Sequence, residues 1–261
     1  PYTLSYDKVS YFKEVPTMLI RNAKDSAGKA IEVWLRDGKI AAVGLGLLVP
    51  EGEEVARREG PHGPARLHRP PTALAHPGFE YKEDISTGSA AAAAGGYTFV
   101  NLMPNTKPVC SSAEIAHAVE AEAARVGLCD ANQTVSITKD FDGKTLDHLL
   151  TLPEDIKFIT EDGNGVMNNA VMARAFAIAT ERGLTIMSHA EDREISPGTT
   201  AWPRTSRPCA TAIWPSTTAP GCTLCHVSTR ESVDAVRMSR MRGARVSCEV
   251  TPHHLWFETA A

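Results

Sequence analysis

The chain of 261 residues is 43% hydrophobic and 22% charged, enough to bury one large core or a core with a satellite domain, which excludes a disordered tail. A formal charge of -4 and a pI near 6.2 provide no basic face for phosphate backbones or anionic lipid, so nucleic acid and membrane partners are not expected and a small-molecule substrate is favoured. No apolar run reaches transmembrane length and no basic stretch precedes an apolar leader segment, so a cytoplasmic location is expected.

In chain order, residues 17 to 44 alternate short apolar runs with turn signals, and the Asp37-Gly38 pair between β-prone segments predicts a hairpin. Residues 56 to 76 are rich in Pro and Arg without an apolar period and read as a long surface loop. From about residue 77, strand-sized and helical runs alternate: YTFVNLM, a helix from about Ser111 to Val126, TVSIT, IKFIT, a helix around 168 to 182, LTIMSHA, a helix around 230 to 242, and ARVSCEV. Capping-box spacing appears at Ser111 with Glu114 and at Ser228 with Glu231, and Gly183 and Gly243 stand where helices should stop. A second patternless stretch covers residues 197 to 222. Repeated strand-helix units predict an α/β fold with a parallel sheet, either doubly wound or a (β/α)8 barrel.

Cys110, Cys129, Cys209, Cys222, Cys225 and Cys248 are scattered through a chain too long to need disulfide staples. Cys222 and Cys225 form a CxxC, but no second pair completes a zinc site, so reduced thiols are expected.

In parallel α/β folds the reacting groups stand at the C-terminal ends of strands. There the sequence places Asn105, Asp162, His189 and His226. Two imidazoles and a carboxylate on one rim suit a catalytic divalent ion, although a single strand-end histidine is more often a hydrogen-bonded structural residue. His253 and His254 are adjacent, so in an extended segment at most one could face such a site, and a structural role is the better reading for them.

PGFEYKEDISTGSAAAAAGGYTFVNLMPNTKPV at 77 to 109, with its MPNT at 103 to 106, resembles the type I dihydroorotases of the amidohydrolase superfamily. ITEDGNGVMNNAVM (159 to 172), IMSHAED (186 to 192), CHVSTRESV (225 to 233) and VTPHHL (250 to 255) resemble further blocks of that family in the same order. The resemblance implies an incomplete (β/α)8 TIM-like barrel over residues 66 to 261 and a small β-sandwich-like domain over residues 1 to 65. It also implies one or two zinc ions, with Asp162 as the bridging and catalytic carboxylate, His189 and His226 as ligands of the second metal, and Asn105 on the substrate carboxylate. The implied reaction is hydrolysis of the cyclic amide of dihydroorotate to N-carbamoyl-aspartate in pyrimidine biosynthesis.

The sequence departs from the family where Asp-x-His-x-His-x-Arg is expected before PGFEYKE: the two histidine positions hold Pro71 and Ala73, the arginine position holds Ala75, and His68 and His76 are out of register. Reverse translation of residues 57 to 76 one base forward permits most of that motif, Thr72 alone forbidding the first histidine codon. Residues 203 to 222 shifted by two bases likewise permit a family-like helix and strand entry, so two reading-frame slips are an expectation that the nucleotide sequence tests. The family's late aspartate ligand has no counterpart before Ala261, and an incomplete barrel would leave strand edges and apolar faces inviting a homo-oligomer. Weak or absent activity is therefore expected. The alternatives are a non-catalytic scaffold binding aspartate transcarbamoylase, and another cyclic amidohydrolase such as a hydantoinase or allantoinase, against which MPNT and Asp162 argue.

Overall fold

The computed structural model describes residues 17–24, 28–37, 39–48, 50, 52, 54–57, 67–72, 76–189 and 221–251. The chain divides into two compact units, Pro1–Arg66 and Leu67–Ala261. In the first, strands β1 (Met18–Lys24), β2 (Ala30–Arg36), β3 (Lys39–Gly44) and β4 (Glu54–Arg57) form a sheet of order β3-β2-β1-β4. Arg36 pairs with Lys39 across the predicted turn, where Asp37 takes the left-handed φ of 51° that such a tight reversal requires.

The second unit holds β5 (Leu67–Thr72), α1 (Ile85–Ala94), β6 (Tyr97–Leu102), α2 (Ala113–Val126), β7 (Asp130–Gln133), β8 (Val135–Ser136), β9 (Phe158–Thr160), α3 (Asn169–Arg182), β10 (Thr185–His189), β11 (Cys222–Cys225), α4 (Arg230–Met241) and β12 (Val246–Cys248). All its described strand pairs are parallel, in sheets of order β5-β6-β7 and β12-β11-β10-β9-β8. Thr134 alone separates β7 from β8, and its N–H donates to Leu102 O at 3.0 Å while Ser136 N–H donates to Cys110 O at 2.8 Å. One sheet thus runs into the next, giving a partial parallel barrel of the kind that strand-helix alternation predicts.

Period-2 alternation decides what each strand face meets. Val135, Ile159, Ile186, Leu224 and Val246 turn one face toward the helices and join Ala116 of α2, Ala175, Phe176 and Ala179 of α3 and Val236 of α4 in the main core. Val100 and Leu102 of β6 pack similarly with Ile85, Val119, Ala123 and Val126. On the opposite face Met103, Met187 and Cys225 form a small separate cluster. Cys222 belongs to the main core and Cys225 to that cluster, so the CxxC points its thiols to opposite sides of β11 and is no chelate. Burial pushes the Cys222 thiol up to about 12, as expected of an inert core cysteine.

Three sequence expectations need correction. Residues 67–72, read as part of a loop, form the strand β5. This segment has no apolar alternation and carries Pro70 and Pro71, yet it pairs with β6 through its backbone. Its register shifts between Leu67 and His68 and again between His68 and Pro71, and such irregularities are where a strand tolerates proline. β4 also reaches into the stretch read as loop. Residues 190–220, and with them Cys209, lie outside the described residues, as do His253 and His254.

The other two corrections are helix caps, each shifted by one residue. Ser112, not Ser111, caps α2 by accepting from Ile115 N–H, and Thr229, not Ser228, caps α4 by accepting from Ser232 N–H at 3.3 Å. Ser111 is occupied elsewhere, its hydroxyl bonding Ser136 Oγ at 2.8 Å and accepting from Asp140 N–H at 2.8 Å. Gly183 ends α3 in the left-handed conformation at φ 65°, as its position predicts, while α4 is capped by Arg242 with Gly243 following at φ 88°.

Gly78 lies at φ 98°, and a Cβ there would stand 2.2 Å from Lys107 O. Lys107 N–H donates to Pro77 O at 2.8 Å, so this close approach ties residue 78 to the loop that carries Asn105. Gly78→Ala is expected to cost at least about 2 kcal/mol, because an unfavourable φ and a backbone collision add. Chemical denaturation measures it, and an unchanged midpoint would contradict the tight approach.

Candidate metal centre

The C-terminal ends of adjacent strands β9, β10 and β11 deliver Asp162, His189 and His226 to one place. Asp162 follows β9 in step with Phe158 and Thr160, and His189 ends β10 in step with Met187, so both side chains belong to the face away from the helices. His226 is different. Cys225 already faces that side, so regular alternation would send residue 226 the other way, and the left-handed φ of 56° at His226 changes the chain's course there.

The three side chains each offer one ligand atom, and these atoms all lie within 4.8 Å of one another. Asp162 Oδ1 stands 3.1 Å from His226 Nε2 and 3.4 Å from His189 Nδ1. The two imidazole rings meet edge to face, with centroids 5.5 Å apart at 70°. The other oxygen, Asp162 Oδ2, accepts from Asn105 Nδ2 at 3.1 Å. All four residues chosen from the sequence are thus brought together, with Asn105 resting on the carboxylate rather than standing apart from it.

Asp162 is only 8% exposed. Burial works against its charge, but the adjoining His189 ring and the hydrogen-bonded His226 ring outweigh that cost and hold the carboxyl well below the usual carboxylate range. Burial likewise disfavours protonated His226, yet its contacts with Asp162 and Glu249 raise the ring to about 9. A buried anion that draws a proton onto a neighbouring imidazole is a site organised around positive charge. Two imidazole nitrogens and one carboxylate oxygen on converging side chains also match the donor types that zinc takes, so the residues fit a divalent ion.

Glu249 was not legible as a site residue from the sequence. Its Oε1 lies 2.7 Å from His226 Nδ1 and also accepts the His226 backbone N–H. The one available signal was its position just after β12, at a strand end like the others. Glu161, beside Asp162, is 2% exposed and accepts from Thr138 through both its backbone N–H, at 2.9 Å, and its hydroxyl. The out-of-register His76 is engaged by Glu80 at 2.9 Å. Pro71 stands opposite Asn101 in the β5-β6 register, whereas Ala73 and Ala75 lie outside the described residues.

A family profile described as "Dihydro-orotase-like" matches residues 69–202. The dihydroorotase of Clostridium botulinum strain Eklund 17B is 40% identical over 181 residues, covering 69% of this chain and 46% of that protein. The dihydroorotase of Mycobacterium tuberculosis is 32% identical over 268 residues, covering 94% of this chain and 61% of that protein. The chain therefore spans about half to three fifths of the length of these curated relatives. Among solved structures, the L-hydantoinase (dihydropyrimidinase) from Arthrobacter aurescens matches 94% of this chain and 60% of its own with a TM-score of 0.76 at 14% identity, a likeness of fold alone.

Proposed function

Because the chain belongs to the dihydro-orotase-like family, we propose that Asp162, His189 and His226 hold a zinc ion in a dihydroorotase centre whose substrate is dihydroorotate. The observation that carries this reading is the convergence of three ligand atoms within 4.8 Å at the ends of adjacent parallel strands. Held by those three side chains, zinc would supply Lewis acidity toward the ring carbonyl and lower the pKa of water toward neutrality, the chemistry that hydrolysis of the cyclic amide to N-carbamoyl-aspartate requires.

The chain's own residues prepare that reaction. Asp162 supplies the buried negative charge that recruits the ion and orients both imidazoles through Oδ1. Asn105 has two amide hydrogens, and its bond to Asp162 Oδ2 engages one of them, leaving the other for the substrate carboxylate. Pro71, Ala73 and Ala75 offer neither the imidazoles nor the guanidinium of the family motif, so the second reading is a non-catalytic scaffold for aspartate transcarbamoylase, against which the retained Asn105, Asp162, His189 and His226 argue. Zinc titration of the purified chain, followed by metal analysis after gel filtration, tests the centre: retained zinc supports it, and no retention at micromolar zinc refutes it. A copurifying transcarbamoylase without zinc would select the scaffold.

Proton and metal compete for His226, so zinc affinity is expected to rise with pH up to about 9, the value of the ring in the metal-free protein, and to level off above it. The metal-free fold should respond in the opposite sense. A histidine raised from 6.5 to about 9 on folding contributes stability that is complete below 6.5 and is lost as pH climbs through 9. Thermal melts with and without zinc across that interval measure both, and parallel curves would contradict the competition.

A further inference from the structure

His226 is the residue of the centre whose placement regular strand geometry does not explain. Its neighbour Cys225 faces the cluster with Met103 and Met187, and the chain bends at 226 through a φ of 56°. A residue other than glycine is uncommon at such a φ, histidine being among the more tolerant, and surroundings that grip it help to hold it there. Glu249 does so twice over: the same Oε1 accepts the backbone N–H of His226 and lies 2.7 Å from its Nδ1. Glu249 is itself anchored by its backbone, since its N–H donates to Leu224 O at 3.0 Å and its carbonyl accepts from Val227 N–H at 3.0 Å. The carboxylate therefore stands just past the end of the next strand, β12, braced on both sides of the residue it holds.

We propose that Glu249 is the positioning residue of the centre, clamping the backbone and Nδ1 of His226 so that Nε2 is presented beside Asp162 and His189. With the Glu249 carboxylate held 2.7 Å from Nδ1, Nε2 is the nitrogen turned toward Asp162, and the ring cannot rotate without giving up that ion-pair contact. This inference rests on the zinc reading above for its metal consequence, while the clamp itself is a property of the metal-free chain. Glu249 acts in this role only through His226.

The test compares the wild-type chain with Glu249→Ala and Glu249→Gln by two measurements. The first is zinc affinity, read by competition with a chromophoric chelator. The second is hydrogen exchange of the His226 amide in the metal-free protein, with thermal melts confirming that each variant is folded. Glu249→Ala should bind zinc about 10- to 100-fold more weakly and lose protection at the 226 amide. Glu249→Gln keeps an oxygen that can accept both N–H groups, so it should recover protection and most of the affinity, which a merely space-filling role would not predict. Zinc binding with undiminished affinity in a folded Glu249→Ala chain overturns the positioning role. A wild-type chain that binds no zinc sinks the metal-centre reading instead, and unchanged amide protection in Glu249→Ala then also overturns the clamp.

Discussion

Replacing Asp162 by alanine is expected to weaken zinc binding by about a hundredfold or more, because it strips a buried anion from beside two imidazoles. Both histidines direct a ring nitrogen at the same oxygen, Oδ1, so one truncation removes a ligand and the element that orients the other two. Asp162→Asn separates these roles: the amide oxygen preserves shape and can still accept a hydrogen bond, but the charge is gone. It should keep the fold and lose most of the affinity. His226 is held near 9 by Asp162 together with Glu249, so either substitution should also move its titration toward the ordinary histidine value, which NMR of the metal-free chain would follow. Zinc affinity in Asp162→Ala equal to that of the wild type would remove the centre from these residues altogether.

The second large effect is a deficit. Dihydroorotate turnover by the chain as it stands is expected to be weak or absent, because the His-x-His and the arginine of the family motif have no counterpart at positions 71, 73 and 75. Pro71 and Ala73 carry no metal ligand and Ala75 carries no cation for a carboxylate. The triple change Pro71→His, Ala73→His, Ala75→Arg is therefore expected to raise bound zinc. β5 already pairs in parallel with β6 at Pro71 and Thr72, so residue 71 occupies a strand position opposite Asn101, near the end of the strand that leads to Asn105. Zinc content and a dihydroorotate assay, run side by side on the two chains, measure the difference. Near-stoichiometric zinc with ordinary turnover in the unaltered chain would contradict the expectation. Sequencing the coding DNA across residues 57–76 and 203–222 would then decide whether shifted frames account for the altered motif.

The strand-helix alternation after residue 77 was legible because long apolar runs such as YTFVNLM and LTIMSHA end in polar residues where parallel strands end. Asp162, His189 and His226 were legible for the same reason, each standing at such an end. β5 was not, because Leu67–Thr72 carries two prolines and no alternation, and its pairing comes from main-chain groups that side-chain patterns do not report. β7 was missed likewise, its four residues Asp130–Gln133 being mostly polar. The one-residue cap shifts at Ser112 and Thr229 arose because adjacent Ser and Thr hydroxyls compete for the same role, and tertiary contacts took Ser111 away. Glu249 belonged to no recognised motif and gained its meaning only from the bend at His226.

The adjacent carboxylates at 161 and 162 have unrelated duties. Glu161 is sealed against Thr138 and stands outside the ligand trio, yet it fastens the tip of the strand from which its neighbour projects. A survey of every substitution along this segment would find both positions intolerant for different reasons: one sets the aim, the other is what is aimed. Tolerance profiles alone would merge them into a single hot region, and only a ligand-binding readout would tell the anchor from the donor.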